Sequence, residues 1–238
     1  MKRSPWILAV ALAAGSCSST PWSKDKAEPV DAAYLMDISA NDREDIAKLR
    51  ADEAALKDEV AFAEREIDAK KADKKVAEQE LDIAQQEVEE AEARVDAART
   101  TEETTAAHER LNDAQMHVAW AKAQVAYQDS RIDWAEAKRD LAQRKTELGT
   151  ARVEQRKAKA VDDLPEGAKA PRLAMAAYDE SLAQAELKVR LAEIDVDAQA
   201  AKAKAHREVM GKLAEHVPEG RRASWRTSVI ETGDKEPN

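Results

Sequence analysis

The sequence predicts an all-α protein, a long antiparallel coiled-coil bundle of three helices at about residues 42–100, 106–160 and 172–216. Neither glycine nor proline occurs between Pro29 and Gly149, and strands joined by tight turns need such residues. Only 4% of the residues are aromatic whereas 36% are charged, which leaves few large side chains for a thick globular core. Apolar residues also recur every seven positions, a spacing that keeps one narrow seam of a helix facing a partner helix.

The first helix is predicted to begin near Asn41, because this capping residue is followed three positions later by Glu44. Seam residues then recur every seven positions in two sets. The first set is Ile46, Glu53, Val60, Ile67, Lys74, Leu81, Val88 and Val95, and the second is Leu49, Leu56, Ala63, Lys70, Ala77, Ala84, Ala91 and Ala98. At 1.5 Å per residue this helix is about 85 Å long. Glu53, Lys70 and Lys74 interrupt the seam, and we interpret them as long side chains that reach out to water rather than as a register signal or a kink.

A hairpin turn is predicted at Thr101 to Thr105. Clustered threonines suit a turn and a helix cap, and the phase of the seven-residue repeat slips across this segment. The seam of the second helix then consists of Leu111, Val118, Val125 and Ile132 with Ala114, Ala121 and Ala135. The alternative is one unbroken helix from Asn41 to about Ala160, whose exposed first seam would demand another chain.

A second stripe of the second helix contains large side chains. Trp120, Tyr127 and Trp134 are spaced at sevens, and Leu141 and Leu148 continue the stripe. At 100° per residue it lies nearly opposite the first seam, so this helix should have two neighbours. The three aromatic residues form either a binding strip for a partner protein or core between helices of the same chain. We favour the core, because large aromatic side chains are mostly buried.

The clearest break in the chain is the segment 161–172, which contains Pro165, Gly167 and Pro171. A third helix follows and is closed by Pro218. Its seam consists of Met175, Leu182, Val189, Val196, Ala203 and Met210 with Tyr178, Ala185, Ala192, Gln199, His206 and Leu213, and Leu187, Leu191 and Ile194 widen the apolar face. Short connections make the three helices run up, down and up, with the second helix in the middle.

The N-terminus contains a targeting signal. Lys2 and Arg3 precede an apolar stretch at 6–14, which is too short to span a bilayer and is typical of a secretory signal. The last residue of this stretch, Ala14, is the first residue of the tetrapeptide AGSC at residues 14–17. This tetrapeptide resembles the lipobox of bacterial lipoproteins, in which small residues precede a cysteine that becomes the acylated mature N-terminus.

The resemblance implies that residues 1–16 are removed and that Cys17 receives diacylglycerol and an N-acyl chain, with no other cofactor. The family favours leucine where Ala14 stands here. By the enterobacterial sorting rule that belongs to this resemblance, Ser18 after the cysteine implies the outer membrane, with the chain facing the periplasm. The alternative is an ordinary secreted protein, cut after Ala13 or Ala14, in which Cys17 is a free thiol.

The flanks of the helical domain differ from it in composition. Residues 17–40 are predicted to be a lipidated, flexible tether, residues 41–217 the helical domain, and residues 218–238 a polar, disordered tail. An apolar run in the tether forms either a short docked turn or a free segment, and it consists of Val30, Tyr34, Leu35, Met36 and Ile38. A basic and aromatic cluster in the tail is either solvated, which we favour, or a contact for a partner or an anionic polymer, and it consists of Arg221, Arg222, Trp225 and Arg226.

The sequence contains no recognisable pattern for catalysis or metal binding. The four histidines, His108, His117, His206 and His216, do not have metal-ligand spacing. There is no glycine-rich phosphate loop and no nucleophile elbow, and carboxylates alternate with Lys and Arg as on an ordinary solvated helix face. We therefore expect no enzyme activity and no metal. The net charge of −10 makes nucleic acid a poor partner.

Together these observations predict a lipid-anchored periplasmic coiled-coil lipoprotein that acts as a spacer, scaffold or protein-interaction module at the cell envelope. It would bind the membrane through its lipid, and a protein partner or a second copy through its coiled-coil faces. The alternatives are an accessory subunit of an envelope efflux, secretion or motility complex, and a soluble periplasmic holdase chaperone. The chain is similar to Braun-type lipoproteins in being lipidated and coiled, but Lys235 is not terminal, so attachment to peptidoglycan is not expected.

Overall fold

The computed structural model describes residues 27–165 and 172–217, and this part of the chain is helical without strands. A short 3₁₀ helix precedes three long α-helices. The 3₁₀ helix is Ala32–Met36, α1 is Ala40–Ala97, α2 is Thr101–Asp162 and α3 is Met175–Ala214. The predicted all-α bundle of three helices is thus confirmed.

Helices α1 and α2 form a long antiparallel hairpin. The Nζ atom of Lys138 lies 3.1 Å from Oε1 of Glu66, and the Nζ atom of Lys74 lies 2.8 Å from Oδ1 of Asp129. Residue numbers rise along α1 as those of their partners fall along α2. These pairs are partly exposed, so they fix the register more than they stabilise the fold.

Helix α3 packs against the other side of α2, also antiparallel. The Nζ atom of Lys188 lies 3.3 Å from Oε2 of Glu147, and the Nζ atom of Lys202 lies 2.6 Å from Oδ2 of Asp133. Extensive contacts join α2 to both α1 and α3. Helix α2 is therefore the central helix, as its two apolar stripes predicted.

The helix boundaries differ from the prediction by two to five residues. Helix α1 is capped by Ser39, whose hydroxyl accepts a hydrogen bond from the Asp42 backbone N–H at 3.1 Å, so Asn41 is inside the helix. Helix α3 begins at Met175 and ends at Ala214. Both ends are slightly inside the predicted range 172–216.

The turn between α1 and α2 lies earlier than predicted. Helix α1 ends at Ala97 and α2 begins at Thr101, so the threonines 101–105 form the first turns of α2. Thr100 is the cap: its side chain accepts from the Glu103 backbone N–H while the Glu103 carboxylate accepts from the Thr100 N–H. The alternative of one unbroken helix is therefore wrong.

Buried alanines line the interface between α1 and α2. We call this set the alanine seam: Ala63, Ala77, Ala84 and Ala91 of α1 with Ala107, Ala114, Ala121, Ala135 and Ala142 of α2. All are spaced at sevens or multiples of seven, and Ala84 and Ala121 belong to one buried cluster. Gly149 continues the α2 series, and a Cβ atom there would lie 3.2 Å from Cδ1 of Leu56. Small side chains thus allow the two backbones to approach closely.

A larger residue in the alanine seam should push the helices apart. We expect Ala84→Leu to lower the free energy of unfolding by about 1–3 kcal/mol, because Ala84 is fully buried and a well-packed core does not accommodate added methylenes. The matched control is Ala72→Leu on an exposed position of α1, which should change stability by less than about 0.5 kcal/mol. Urea unfolding measures both, and equal effects would show that the seam is not tightly packed.

Candidate functional site

The segment that follows the proposed lipidation site packs against one end of the bundle. The backbone N–H of Val30 donates to Oε2 of Glu154 at 2.9 Å, and the hydroxyl of Tyr178 donates to the Glu28 carbonyl at 2.8 Å. These bonds join the segment to α2 and to α3. Of the predicted tether, residues 27–39 therefore dock on the bundle, whereas residues 17–26 lie outside the described residues.

A hydrophobic cluster holds this segment in place. We call it the anchor-end cluster: its buried members are Val30, Ile38, Ile46, Ala158, Ala160, Val161 and Tyr178, with Tyr34, Leu35, Leu164, Leu173 and Met175 packed around them. Of the two alternatives that the sequence left open for this run, the structure shows the docked turn, although Met36 is 75% exposed. The cluster draws residues from the N-terminal segment and from all three helices, so it ties their ends together.

The middle of α2 contains the predicted aromatic strip. Trp120 is fully buried and Tyr127 is 9% exposed, and both share a cluster with Met210 and Val217. Trp134 is half-buried, and the Nζ atom of Lys138 lies 3.6 Å from the centre of its ring. Trp120 and Tyr127 thus pack between helices of the same chain, which is the interpretation that the sequence favoured, and they leave almost no surface for a partner.

A buried histidine beside this strip was not singled out by the sequence. The ring of His117 is 2% exposed, with Nδ1 at 2.8 Å from a Glu87 carboxylate oxygen and Nε2 at 3.0 Å from one of Glu80. Both nitrogens can donate at once only when the ring is protonated. The His117 ring also stacks on the Trp120 ring, with 5.7 Å between the two ring centres. The two carboxylates come from α1 and the histidine from α2, so these three side chains join the two helices of the hairpin.

The described residues show no assembled chemical site. No group of three or more His, Cys, Asp or Glu side chains within 27–165 and 172–217 is arranged to hold a metal ion. Among the same residues, no helix has a stretch that is both long enough and apolar enough to cross a membrane. His108 and His216 are exposed on the surface, and His206 contacts the Ala126 carbonyl through Nδ1 at 2.9 Å.

Helices α1 and α3 each expose large apolar residues away from α2. On α1 these are Phe62, Val76 and Ile83, and on α3 they are Leu187, Leu191, Ile194 and Val209. The sequence had suggested that Leu187, Leu191 and Ile194 widen the face that packs on α2. They are instead 57%, 58% and 65% exposed, so they form a separate surface.

Two predicted sites lie outside the described residues: the lipidation site Cys17 and the tail cluster of Arg221, Arg222, Trp225 and Arg226. Comparisons of the chain with protein-family models, with curated proteins and with solved structures find no match.

The hydrogen bond from Tyr178 to the docked segment should make a pH-dependent contribution to the free energy of unfolding. Burial, together with the charges of Glu154 and Glu28, raises the pKa of the Tyr178 phenol. The phenol of the unfolded chain therefore ionises first, so its contribution to stability is complete below about pH 10 and decreases as the pH rises further.

We expect Tyr178→Phe to lower the free energy of unfolding by about 0.5–1.5 kcal/mol at neutral pH, the usual value of one hydrogen bond. The difference from the unmodified chain should shrink above about pH 10. Urea unfolding at pH 7 and at alkaline pH measures it, with the half-buried Tyr34 changed to Phe as the control. A difference that is constant with pH would contradict the assigned role of the phenol.

Proposed function

We propose that the chain is a lipid-anchored periplasmic scaffold of the outer membrane, acylated at Cys17 and without catalytic activity. The observation that carries this proposal is the docking of residues 27–39 on the anchor-end cluster. An anchor at Cys17 would then lie only nine residues along the chain from a segment that is fixed to one end of the helical rod. The alternation of acidic and basic residues along the helices fits a solvated rod and not a catalytic centre.

The position of the docked segment defines a near end and a far end of the rod. Nine residues separate Cys17 from Ala27, so the near end would lie within about 35 Å of the acylated cysteine. The 58 residues of α1 correspond to about 87 Å along the rod between the near end and the turn at Ala98–Thr100. Such a rod would present protein-binding surfaces at a defined distance from the membrane.

The lipid is the part that would bind the membrane. The net charge of −10 disfavours attraction to anionic lipid surfaces or to nucleic acid. Acyl chains contribute about 0.8 kcal/mol per buried methylene, and two chains already give stable anchoring. The helical faces are then left for contacts with proteins.

The far end favours a second candidate, an accessory subunit of an envelope complex. The C-terminal part of α3 packs near Trp120, where Met210 and Val217 join the same cluster. Among the described residues, only α1 and α2 continue from there to the turn at 98–100, as a two-helix hairpin. A hairpin that projects from an anchored rod could insert into a larger assembly.

Acylation at Cys17 can be tested in a Gram-negative host that is labelled with radioactive palmitate. We expect the full chain to be labelled and to fractionate with the outer membrane, because the lipidation motif ends at Cys17. Cys17→Ser should lose the label. Ser18→Asp is the matched control, which should keep the label and move to the inner membrane under the enterobacterial sorting rule.

Globomycin, which blocks lipoprotein signal cleavage, completes this test. The precursor should accumulate in treated cells. A processed, unlabelled protein in the soluble periplasmic fraction would contradict the anchored scaffold and would favour the holdase chaperone instead.

A further inference from the structure

The exposed face of α3 has the pattern of a second coiled-coil seam. Apolar residues alternate at spacings of four and three along this face, and we call them the outer seam: Leu187, Leu191, Ile194, Ala198, Ala201 and Ala205. All six are exposed. This alternation is the heptad pattern with which a helix pairs with another helix. The residues that face α2, such as Ala185 and Val189, are a different, buried set.

Charged residues flank the outer seam in blocks of alternating sign. Lys188 and Arg190 are followed seven residues later by Asp195 and Asp197, and Lys202 and Lys204 follow after another seven. In the heptad of the outer seam, residues 190 and 197 occupy g positions and residues 195 and 202 occupy e positions. These positions form the interhelical ion pairs that select the partner of a coiled coil.

We propose that the occupant of the outer seam is a second copy of this chain, bound through α3 in parallel and in register. In this arrangement g residues face e residues five positions later on the other helix. Arg190 would then pair with Asp195 of the second copy, and Asp197 with Lys202 of the second copy. Lys202 also lies 2.6 Å from Asp133 of its own α2, so it would be shared between the two carboxylates. By symmetry each pair forms twice. The α3 helix is thus complementary to itself in charge as well as in apolar pattern.

The parallel orientation rests on the proposed function, whereas the pairing itself does not. An antiparallel pairing would also oppose unlike charges, Arg190 against Asp197 of the second copy, but it would point the two near ends in opposite directions. Two copies anchored in one membrane have their near ends on the same side. Confinement to the membrane also raises the effective concentration of the two copies, which favours their pairing even through a short seam that is rich in alanine.

Sedimentation equilibrium of the full chain with Cys17→Ser tests the pairing without the lipid. We expect a monomer–dimer equilibrium, and we expect Leu191→Glu to weaken it on the order of tenfold or more, because a charge would be buried in the seam. The matched control is Val76→Glu on α1, since Val76 is 59% exposed and Leu191 is 58% exposed. Both substitutions lie on exposed positions, and helical circular dichroism should be unchanged in both.

Cysteine cross-linking in the same Cys17→Ser background tests the orientation. Ile194→Cys should form a disulfide with its own copy, because in a parallel, in-register pair each seam residue lies opposite itself, whereas the antiparallel pair described above sets Ile194 opposite Leu191. Glu193→Cys, which is exposed on α3 away from the outer seam, should remain reduced under the same conditions.

Three results would overturn the proposal. They are a monomer at all concentrations, a dimer that Leu191→Glu leaves intact, and cross-linking of Leu191→Cys to Ile194→Cys in place of Ile194→Cys to itself. The first two reject pairing through α3, and the third indicates an antiparallel pair. Palmitate labelling at Cys17 is independent of all three, so failure of the pairing and failure of the anchor can be told apart.

Discussion

Close packing of α1 on α2 along the alanine seam is the constraint on which the other contacts depend. Large residues in this seam would widen the hairpin and separate the ion pairs, such as Glu66 with Lys138, that fix its register. The seam also determines where the larger side chains lie. Trp120 and Tyr127 lie in one buried cluster with Ala84 of α1 and Met210 of α3, and so join α3 to the hairpin. A composition low in aromatic residues therefore suffices for a bundle of three helices in which α1 and α3 pack on opposite sides of α2.

The same constraint gives the rod two distinct ends. At the near end, the anchor-end cluster joins the docked N-terminal segment to α1, α2 and α3. At the far end, the hairpin closes at Thr100, where a capping box satisfies backbone N–H groups without glycine or proline. An anchor at Cys17 would therefore act on the end at which all helices are tied together. The outer faces of α1 and α3 are left exposed along the length of the rod.

The sequence predicted the register of the fold well because that register is a local repeat. The second seam set of α1 includes Ala63, Lys70, Ala77, Ala84 and Ala91, and all five are buried. Lys70, expected to reach out to water, is instead buried at 6% exposure, whereas Glu53 and Lys74 are partly exposed and form ion pairs with Lys57 and Asp129. The caps were harder to place, because the threonines at 101–105 are weak helix formers and suited a turn. Only the reciprocal bonds between Thr100 and Glu103 decide where α2 begins.

Other features depend on contacts between distant residues. His117 was noted only as a histidine without metal-ligand spacing, since its partners Glu80 and Glu87 lie on another helix. Leu187, Leu191 and Ile194 were assigned to the wrong face, because a helix with two apolar stripes does not reveal from its sequence which stripe meets its neighbour. The docking of Val30 and Ile38 was left open for the same reason.

The decisive measurement is the distance of each end of the rod from the membrane. In liposomes that contain the acylated mature chain and a membrane-bound acceptor dye, a donor dye is attached through Asp163→Cys or through Arg99→Cys, both at exposed positions. These positions are about 95 Å apart along α2 at 1.5 Å per residue. If the rod is anchored at its near end and projects from the membrane, energy transfer should be efficient from position 163 and weak from position 99. Equal transfer from the two positions would contradict a rod that projects from an anchor at one end.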